Sequence, residues 1–312
     1  MQEETTTRTP DPQRAMTALE WAVTRAERGE TSQVQEAGPE DFRAAAERYL
    51  PEVRGYLDRI IMARDAEEGL DALLASGALT TMLPEVKAMV GFGDGEWRHK
   101  DVWKHTKQVV RQAVPRIEVR WAALLHDIGK IKTRTISPSG EVHFFGHAEV
   151  GARMFDKLDR RLPIFAPEPA LKSAVRFLIL HHLRASQYDA SWTDSAVRRF
   201  AREMGDQLQG LLDLSRADIT TKRPEKKRKG LRQICELGER VEKLRELDAQ
   251  VPPLPSGIGD EIMRVFGIPP SRRVGELKKA LEEAVEAGEV PPHECAEVYL
   301  AFMRENGGRF GI

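Results

Sequence analysis

The chain has 312 residues, of which 41% are hydrophobic and 31% charged, an ordinary composition for a globular protein with a buried core. The formal net charge is −1, so any contact with nucleic acid must rest on a local basic patch. Two cysteines are too few for a disulfide framework or a zinc ribbon, and with the polar N-terminus they favour a cytoplasmic protein. No apolar run approaches the ~20 residues of a membrane-spanning helix.

The first part of the chain predicts helices without a cluster of reactive side chains. Residues 1–38 are polar and contain one short amphipathic helix, and helical spacing resumes from Pro39 as a neck-like region over residues 39–97. Glycines 91, 93 and 95 indicate a loop. It lacks a preceding strand and the phosphate-loop lysine spacing, so we do not interpret it as a nucleotide cradle.

The next part, residues 98–250, places polar side chains on the buried faces of successive helices. Apolar residues at helical spacing put His105 on one buried stripe and His126 on the next, and Gly129 is predicted to end the second of these helices. A hairpin is predicted around the turn at 137–140. His147 begins a third stripe, and the fourth ends at His181-His182, where either histidine can face inward because the segment is apolar nearly all round.

The histidines and aspartates of these stripes predict a metal site. His105, the adjacent pair His126-Asp127, and Asp218 together offer two imidazoles and two carboxylates. This mixed nitrogen and oxygen set suits a divalent Mn, Fe, Co, Ni or Zn ion, and Mg less well. Any one buried histidine is more often a core residue, and the prediction depends on several converging. Asp218 has an alternative as the partner of Arg216 at the surface.

A second ion is predicted from His147 with His181 or His182, with Asp127 as the bridging carboxylate. Two ions about 3.5–4 Å apart clamp the attacking and leaving oxygens of a phosphoryl transfer. In that chemistry Asp127 supports the attack of water, and Lys130 orients the phosphate as a point charge. The alternative for Lys130 is a solvated residue at a helix end.

The remaining features are a basic run and a C-terminal appendage. Between Lys222 and Arg232 seven of eleven residues are basic, and Lys226, Lys227, Arg228 and Lys229 are candidate RNA-binding residues. The alternative is an ordinary solvated surface. A proline-rich linker then leads into residues 251–312, which predict two or three short helices.

These residues resemble the HD superfamily of metal-dependent phosphohydrolases, whose H…HD…D pattern fits His105, His126-Asp127 and Asp218. The resemblance is closer to the C-terminal half of bacterial tRNA nucleotidyltransferases, the CCA-adding and poly(A) polymerase family, and covers about residues 55–300. It is carried by the stretches 83–85, 99–106, 122–130, 146–152, 192–200, 216–218 and 267–275.

The chain also departs from that family. Its polymerising head needs a glycine-serine turn followed by paired carboxylates, and the roughly 55 residues before the match contain neither. We therefore expect that this chain does not add nucleotides by itself. The alarmone-hydrolase and cyclic-di-GMP branches of the HD superfamily fit less well, because the residues after Asp127 and His182 differ from theirs.

Together these observations predict an all-α HD-domain bundle with one small hairpin and a helical appendage. The predicted function is a phosphohydrolase with one or two divalent ions, acting on a nucleotide or an RNA-end phosphate. Two alternatives are a non-catalytic module that binds tRNA or other RNA, and a subunit of a split nucleotidyltransferase. The substrate and the oligomeric state stay open.

Overall fold

The computed structural model describes residues 9–30, 32–92, 101–249 and 252–312. Over these residues the chain forms α-helices and a single two-stranded hairpin, so the predicted all-α class is confirmed. It divides into two compact units, residues 1–242 and residues 243–312. The predicted boundary at residue 97 falls outside the described residues, as do Gly93 and Gly95.

The bounds of the elements in the described residues are α1 (Pro12–Arg28), α2 (Pro39–Arg48), α3 (Leu50–Met62), α4 (Ala66–Ala75), α5 (Ala78–Met82), α6 (Pro84–Lys87), α7 (Val102–Gln112), α8 (Ile117–Leu125), α9 (Lys130–Thr133), β1 (Thr135–Ile136), β2 (Val142–His143), α10 (His147–Arg161), α11 (Pro169–His181), α12 (Asp194–Met204), α13 (Leu208–Asp218), α14 (Pro224–Ala249), α15 (Ile258–Phe266), α16 (Arg272–Glu286), α17 (Ala296–Glu305) and α18 (Gly307–Phe310). Among these helices none is both long enough and apolar enough to cross a membrane.

One long helix suggested by the sequence is in fact two. The helical pattern from Pro39 to about Met62 breaks at Tyr49, whose φ of −132° lies outside the helical region. Pro51 explains the break, because its ring excludes the carbonyl of the preceding helical turn and is tolerated only at a helix start.

Helix α8 lies at the centre of the first unit and carries the His-Asp pair at its end. Its residues from Val119 to Leu125 are buried, and it contacts α3, α7, α11 and α13. The indole nitrogen of Trp121 donates to the Asp58 carboxylate over 2.7 Å, which fixes α8 against α3. The end of α8 is therefore held rigidly where these helices meet.

Gly129 permits the close approach of α10 to the His-Asp pair. The sequence suggests that this glycine ends a helix, but its φ is −67°, which any residue adopts. A Cβ there would lie 2.0 Å from the backbone oxygen of His147 and 2.7 Å from the backbone nitrogen of Gly151. The glycine is required for space, and the close contact brings the first turn of α10 against Asp127.

The hairpin and the C-terminal unit complete the fold. Thr135 pairs with His143 and Ile136 with Val142 in antiparallel register, as the turn at 137–140 predicts. In the described residues the C-terminal unit has four helices, α15–α18, rather than two or three. It has its own apolar core, at which the buried Tyr299 hydroxyl donates to the backbone oxygen of Pro253.

Candidate metal centre

Five helices bring their polar residues to one point beside the end of α8. His105 lies on α7, and His126 and Asp127 directly follow α8. His147 is the first residue of α10, His182 follows the last residue of α11, and Asp218 is the last residue of α13. The site is therefore built mainly from helix ends, where short side chains reach past the packed core.

The first part of the site joins two histidines to two aspartates. His105 Nε2 lies 3.0 Å from Asp218 Oδ1 and 3.4 Å from Asp127 Oδ2. His126 Nε2 lies 3.2 Å from the same oxygen of Asp127 and 3.7 Å from Asp218 Oδ1. The two Nε2 atoms are 3.4 Å apart, so four possible donor atoms surround one small volume.

The second part of the site uses the other oxygen of Asp127. His147 Nε2 lies 3.6 Å from Asp127 Oδ1 and 3.1 Å from His182 Nε2. Asp127 therefore belongs to two groups, one with His105 and His126 and one with His147 and His182, and within each group the ligand atoms lie within 4.8 Å of one another. A carboxylate that faces two such groups is placed to bridge two ions.

Backbone carbonyls set the tautomers of three of these imidazoles. The Nδ1 atoms of His126, His147 and His182 lie 2.9, 2.8 and 2.8 Å from the backbone oxygens of Ala123, Phe144 and Ile179. A carbonyl only accepts, so in each ring the hydrogen is on Nδ1 and Nε2 keeps its lone pair. Metal-binding histidines are usually held in this way.

The Nε2 lone pairs of His147 and His182 face each other. Burial lowers the pKa of His147, and burial lowers the pKa of His182 to about 4, so both rings are neutral near pH 7. With hydrogens on both Nδ1 atoms, two bare Nε2 atoms face each other at 3.1 Å without a proton to share. A cation bound by both nitrogens would replace this repulsion with two favourable interactions, and neutral imidazole nitrogens are common metal ligands.

The first part of the site is more polar. Burial disfavours the charge of His126, but the Asp127 and Asp218 carboxylates outweigh burial and raise its pKa. Burial likewise favours the neutral form of Asp127, but His126 and Lys130 outweigh it and hold its pKa well below the usual range. Against the same effect of burial, the hydrogen bond with His105 lowers the pKa of Asp218 to about 2. Both carboxylates are therefore ionised at neutral pH.

The donor set fits a divalent ion. Asp127 is 1% exposed, and its Oδ1 atom is buried without a hydrogen bond among the described residues. A buried carboxylate oxygen without a donor costs free energy, which an ion bound to it would offset. His105, His126, Asp127 and Asp218 would hold one ion, and Asp127, His147 and His182 a second.

The pattern of residues in this site is known in other proteins. Residues 102–223 match the HD domain family. The chain contains an HD domain. This match includes His105, His126, Asp127 and Asp218, and it ends just before the helix that carries most of the basic run.

Longer relatives of the chain are tRNA nucleotidyltransferases. The A-adding tRNA nucleotidyltransferase of Deinococcus radiodurans is 34% identical over 265 residues, which cover 82% of this chain and 59% of that protein. The CC-adding tRNA nucleotidyltransferase of Thermus thermophilus is 32% identical over 267 residues, covering 82% of this chain and 57% of that protein. The chain thus spans less than three-fifths of the length of either, and its HD domain is related to those enzymes.

One predicted site residue, His181, lies outside the cluster, whereas Lys130 contacts it. His181 packs on the ring of Phe177, with ring centroids 4.3 Å apart, so His182 is the member of that pair that faces Asp127. Lys130 donates to Asp127 Oδ2 over 2.7 Å, with its side chain 22% exposed. Arg216 pairs with Asp213, so the alternative in which it pairs with Asp218 is wrong.

The basic run lies on and just before the first turns of α14. Lys226, Arg228 and Lys229 are exposed, and Lys227 is half-buried. Arg228 pairs with the exposed Glu225 over 2.9 Å, and an exposed pair of this kind contributes little to stability. The run begins four residues after Asp218, so the same stretch of chain carries a metal-site ligand and the basic surface.

Two contributors to the site were missed by the sequence reasoning. Thr220 is buried, and its hydroxyl lies 2.9 Å from His105 Nδ1, which orients the one imidazole not held by a nearby carbonyl. Gly151 faces Gly129 across the contact between α9 and α10. Thr220 is not part of a periodic pattern, but its position two residues after Asp218 is a signal that could have identified it.

Proposed function

We propose that the HD domain is a metal-dependent phosphohydrolase that acts on a nucleotide or on a phosphate at the end of an RNA chain. The observation that supports this most is the shared Asp127 carboxylate, with Oδ2 toward His105 and His126 and the bare Oδ1 toward His147. This arrangement offers positions for two ions on opposite oxygens of one carboxylate. Phosphoryl transfer is a reaction for which such paired positions are suited.

The chemistry follows from what each residue contributes. A divalent ion held there supplies Lewis acidity to a phosphoryl oxygen and to the attacking water. Asp127 and Asp218 would hold an ion through charge, while imidazoles, which are neutral when they bind a metal, would add affinity without cancelling the charge of the ion. Lys130 provides the mobile positive charge: its ammonium lies on Asp127 and can transfer its hydrogen bond to a phosphate oxygen.

An RNA end or a nucleotide is supported as the substrate by the basic run and by the relatives. Both longer relatives are named for activity on tRNA. The exposed lysines of α14 follow closely after Asp218 in the chain, and exposed lysines attract the phosphates of a nucleic acid. We do not assign nucleotide addition to this chain, which spans less than three-fifths of the length of either nucleotidyltransferase.

The test is a substrate panel across divalent metals. Purified protein loaded with Mn, Co, Ni, Zn or Mg is assayed with nucleoside monophosphates, 2′,3′-cyclic nucleotides and RNA ending in a phosphate. We expect turnover of at least one class, abolished by EDTA and by Asp127→Asn, whereas Asp213→Asn, at a half-buried carboxylate of α13 paired with Arg116 and Arg216, keeps it. Absence of turnover with every metal, together with unchanged metal content in Asp127→Asn, would overturn the proposal.

A second candidate function is RNA binding without hydrolysis, favoured by the exposed basic run. It predicts that Lys226→Gln with Lys229→Gln weakens RNA retention on filters and lowers the dependence of affinity on salt by about two released counterions. The matched control is Lys278→Gln with Lys279→Gln. These two lysines lie on α16 in the C-terminal unit, and each is paired with a glutamate of the same helix. No retention of tRNA by the unaltered protein at low salt would exclude this function.

A further inference from the structure

Beside the metal centre lies a group of two cations and two aromatic rings, and the chemistry proposed above uses only one of the four, Lys130. Lys130 Nζ is 5.6 Å from the centroid of the Phe144 ring, and Arg134 Cζ is 5.8 Å from the centroid of the Phe92 ring. The two rings are 6.4 Å apart and inclined at 53°. We call these four residues the cation–aromatic cluster.

The cluster is continuous with the candidate metal centre. Lys130 reaches Asp127 over 2.7 Å, and the backbone oxygen of Phe144 accepts from His147 Nδ1 over 2.8 Å. Arg134 follows Lys130 by four residues across the short helix α9, a spacing that places two side chains about 5–6 Å apart at Cβ on one side of a helix. A group bound at Asp127 therefore has Lys130 beside it and Arg134 one helical turn farther on.

Arg134 has a buried nitrogen without a hydrogen-bond acceptor among the described residues. Four buried side-chain polar atoms of the described residues have no hydrogen bond: Arg25 Nε, Asp127 Oδ1, Arg134 Nε and Asp159 Oδ1. Arg25 and Asp159 have other partners, at 2.7 Å from Glu68 and 2.5 Å from Lys172, and Asp127 faces the metal positions. Arg134 alone among these four makes no polar contact at all within the described part of the chain.

Arg134 is suited to bind an anion. Its guanidinium is always charged, and a buried N–H without an acceptor costs free energy that a bound anion would recover. An arginine matches a phosphate or a carboxylate with two parallel hydrogen bonds, and phosphate is the anion that the proposed substrate supplies. The cation–π contact with the Phe92 ring restricts the guanidinium of Arg134 and so reduces the freedom lost on binding.

We infer that Arg134 binds a second phosphate of the substrate, beyond the phosphate that is hydrolysed. The inference rests on the proposed function for the position of the first phosphate and deepens it by assigning a substrate class. The substrate then carries at least two phosphates, either as a nucleoside diphosphate or as successive phosphates of an RNA chain. A nucleoside monophosphate would leave Arg134 without a ligand.

The experiment compares Arg134→Gln with Lys132→Gln on three substrates. Lys132 is an exposed cation of the same short helix that faces a separate hollow of about 260 Å³, shared with Pro84 and Lys157, which makes it a matched control. The substrates are AMP, ADP and a 5′-phosphorylated adenosine dinucleotide. Circular dichroism and thermal unfolding check that each variant is folded.

We expect Arg134→Gln to raise KM about 10- to 100-fold for a substrate with two phosphates, with kcat changed little, because a charge-assisted hydrogen bond is lost. The KM for AMP and all constants of Lys132→Gln should stay as in the unaltered protein. An effect on ADP alone identifies a diphosphate, and an effect on the dinucleotide alone identifies an RNA chain. An equal effect on all three substrates would overturn the inference while leaving the hydrolase assignment standing.

Equilibrium binding separates this inference from the proposed function. In EDTA, isothermal titration of ADP and of the dinucleotide reports the contribution of Arg134 without any hydrolysis. Weaker binding by Arg134→Gln than by Lys132→Gln supports the second-phosphate site even if no substrate is turned over. Identical binding by the two variants would contradict it, whatever the result of the activity assays.

Discussion

The two parts of the metal centre share Asp127 but differ in their electrostatics. Around His105 and His126, two ionised carboxylates raise the pKa of His126. Around His147 and His182, the carboxylate within ligand distance among the described residues is the shared Asp127, and burial holds both imidazoles neutral. The first position would therefore attract a metal ion mainly through charge, and the second mainly through two fixed nitrogen lone pairs. We expect the first to bind hard divalent ions more tightly and the second to favour ions that prefer nitrogen.

The largest expected effect comes from the residue that the two parts share. Asp127→Asn removes the charge that faces both positions, so both ions should be lost and turnover should fall on the order of 10³-fold, equivalent to several kcal/mol. Metal content by mass spectrometry and initial rates measure the two effects. Asp159→Asn, at a buried carboxylate paired with Lys172 outside the site, controls for general destabilisation. Retention of one full ion in Asp127→Asn would show that the carboxylate does not bridge.

Gly129→Ala tests whether close helix contact sets up the second position. The added Cβ meets backbone atoms of α10 at 2.0 and 2.7 Å, which cannot move aside as a flexible side chain would. We expect a loss of stability of about 1–3 kcal/mol in urea unfolding and loss of the ion held by His147. Gly275→Ala on α16, where an added Cβ meets nothing within 4 Å, is the control. Unchanged metal content would mean that α10 can shift without moving His147.

A substitution in only one part of the metal centre should affect the binding of only one of the two ions. His182→Gln removes a ligand from the second position only, and Asp218→Asn weakens the first only. We expect one ion per chain to remain bound in His182→Gln, and affinity for the first ion to fall roughly 10- to 100-fold in Asp218→Asn. Titration calorimetry with Mn and Zn distinguishes these outcomes. If either variant loses both ions together, the two positions are not independent and the comparison between them fails.

The last expected effect is on the stability of the metal-free protein. The pKa of His182 is about 4 in the folded chain against an ordinary 6.5, so between these values the unfolded chain binds a proton that the folded chain does not. The free energy of unfolding therefore falls as pH is lowered through this window, by up to about 3 kcal/mol. His126, with a raised pKa, has the opposite sign: its contribution is present below pH 6.5 and is lost as pH rises above it.

Urea unfolding in EDTA at a series of pH values measures this effect. His182→Gln should flatten the fall in stability between pH 6.5 and 4, while His143→Gln on the exposed hairpin should not. Identical slopes for His182→Gln and the unaltered chain would show that His182 is not held neutral by its surroundings.

The helices and the position of several ligands could be predicted from the sequence because both depend on local spacing. His105 is in phase with Val102, Val109 and Val110, and that periodicity fixes which side of α7 it occupies. Periodicity could not choose between His181 and His182, because the end of α11 is apolar on nearly every side. The choice depends on where α10 and α8 lie, which is a property of the packed structure.

Other features depend on distances that no local pattern encodes. Gly129 looks like a helix stop in sequence, and only the packed backbone of α10 shows that its role is space. Arg134 looks like one more basic residue of the hairpin region. Its lack of a partner becomes visible only when the neighbours contributed by distant parts of the chain, such as Phe92, are in place.

The hydrogen bonds to Nδ1 also have a consequence for the order in which the site assembles. His126, His147 and His182 each bond to the carbonyl three residues earlier, so each ring acquires its orientation as soon as its own stretch of chain is formed. His105 bonds to Thr220, 115 residues away. The orientation of its ring therefore depends on the contact between α7 and the chain beyond Asp218, and we expect the first metal position to form only after α13 has docked against α7.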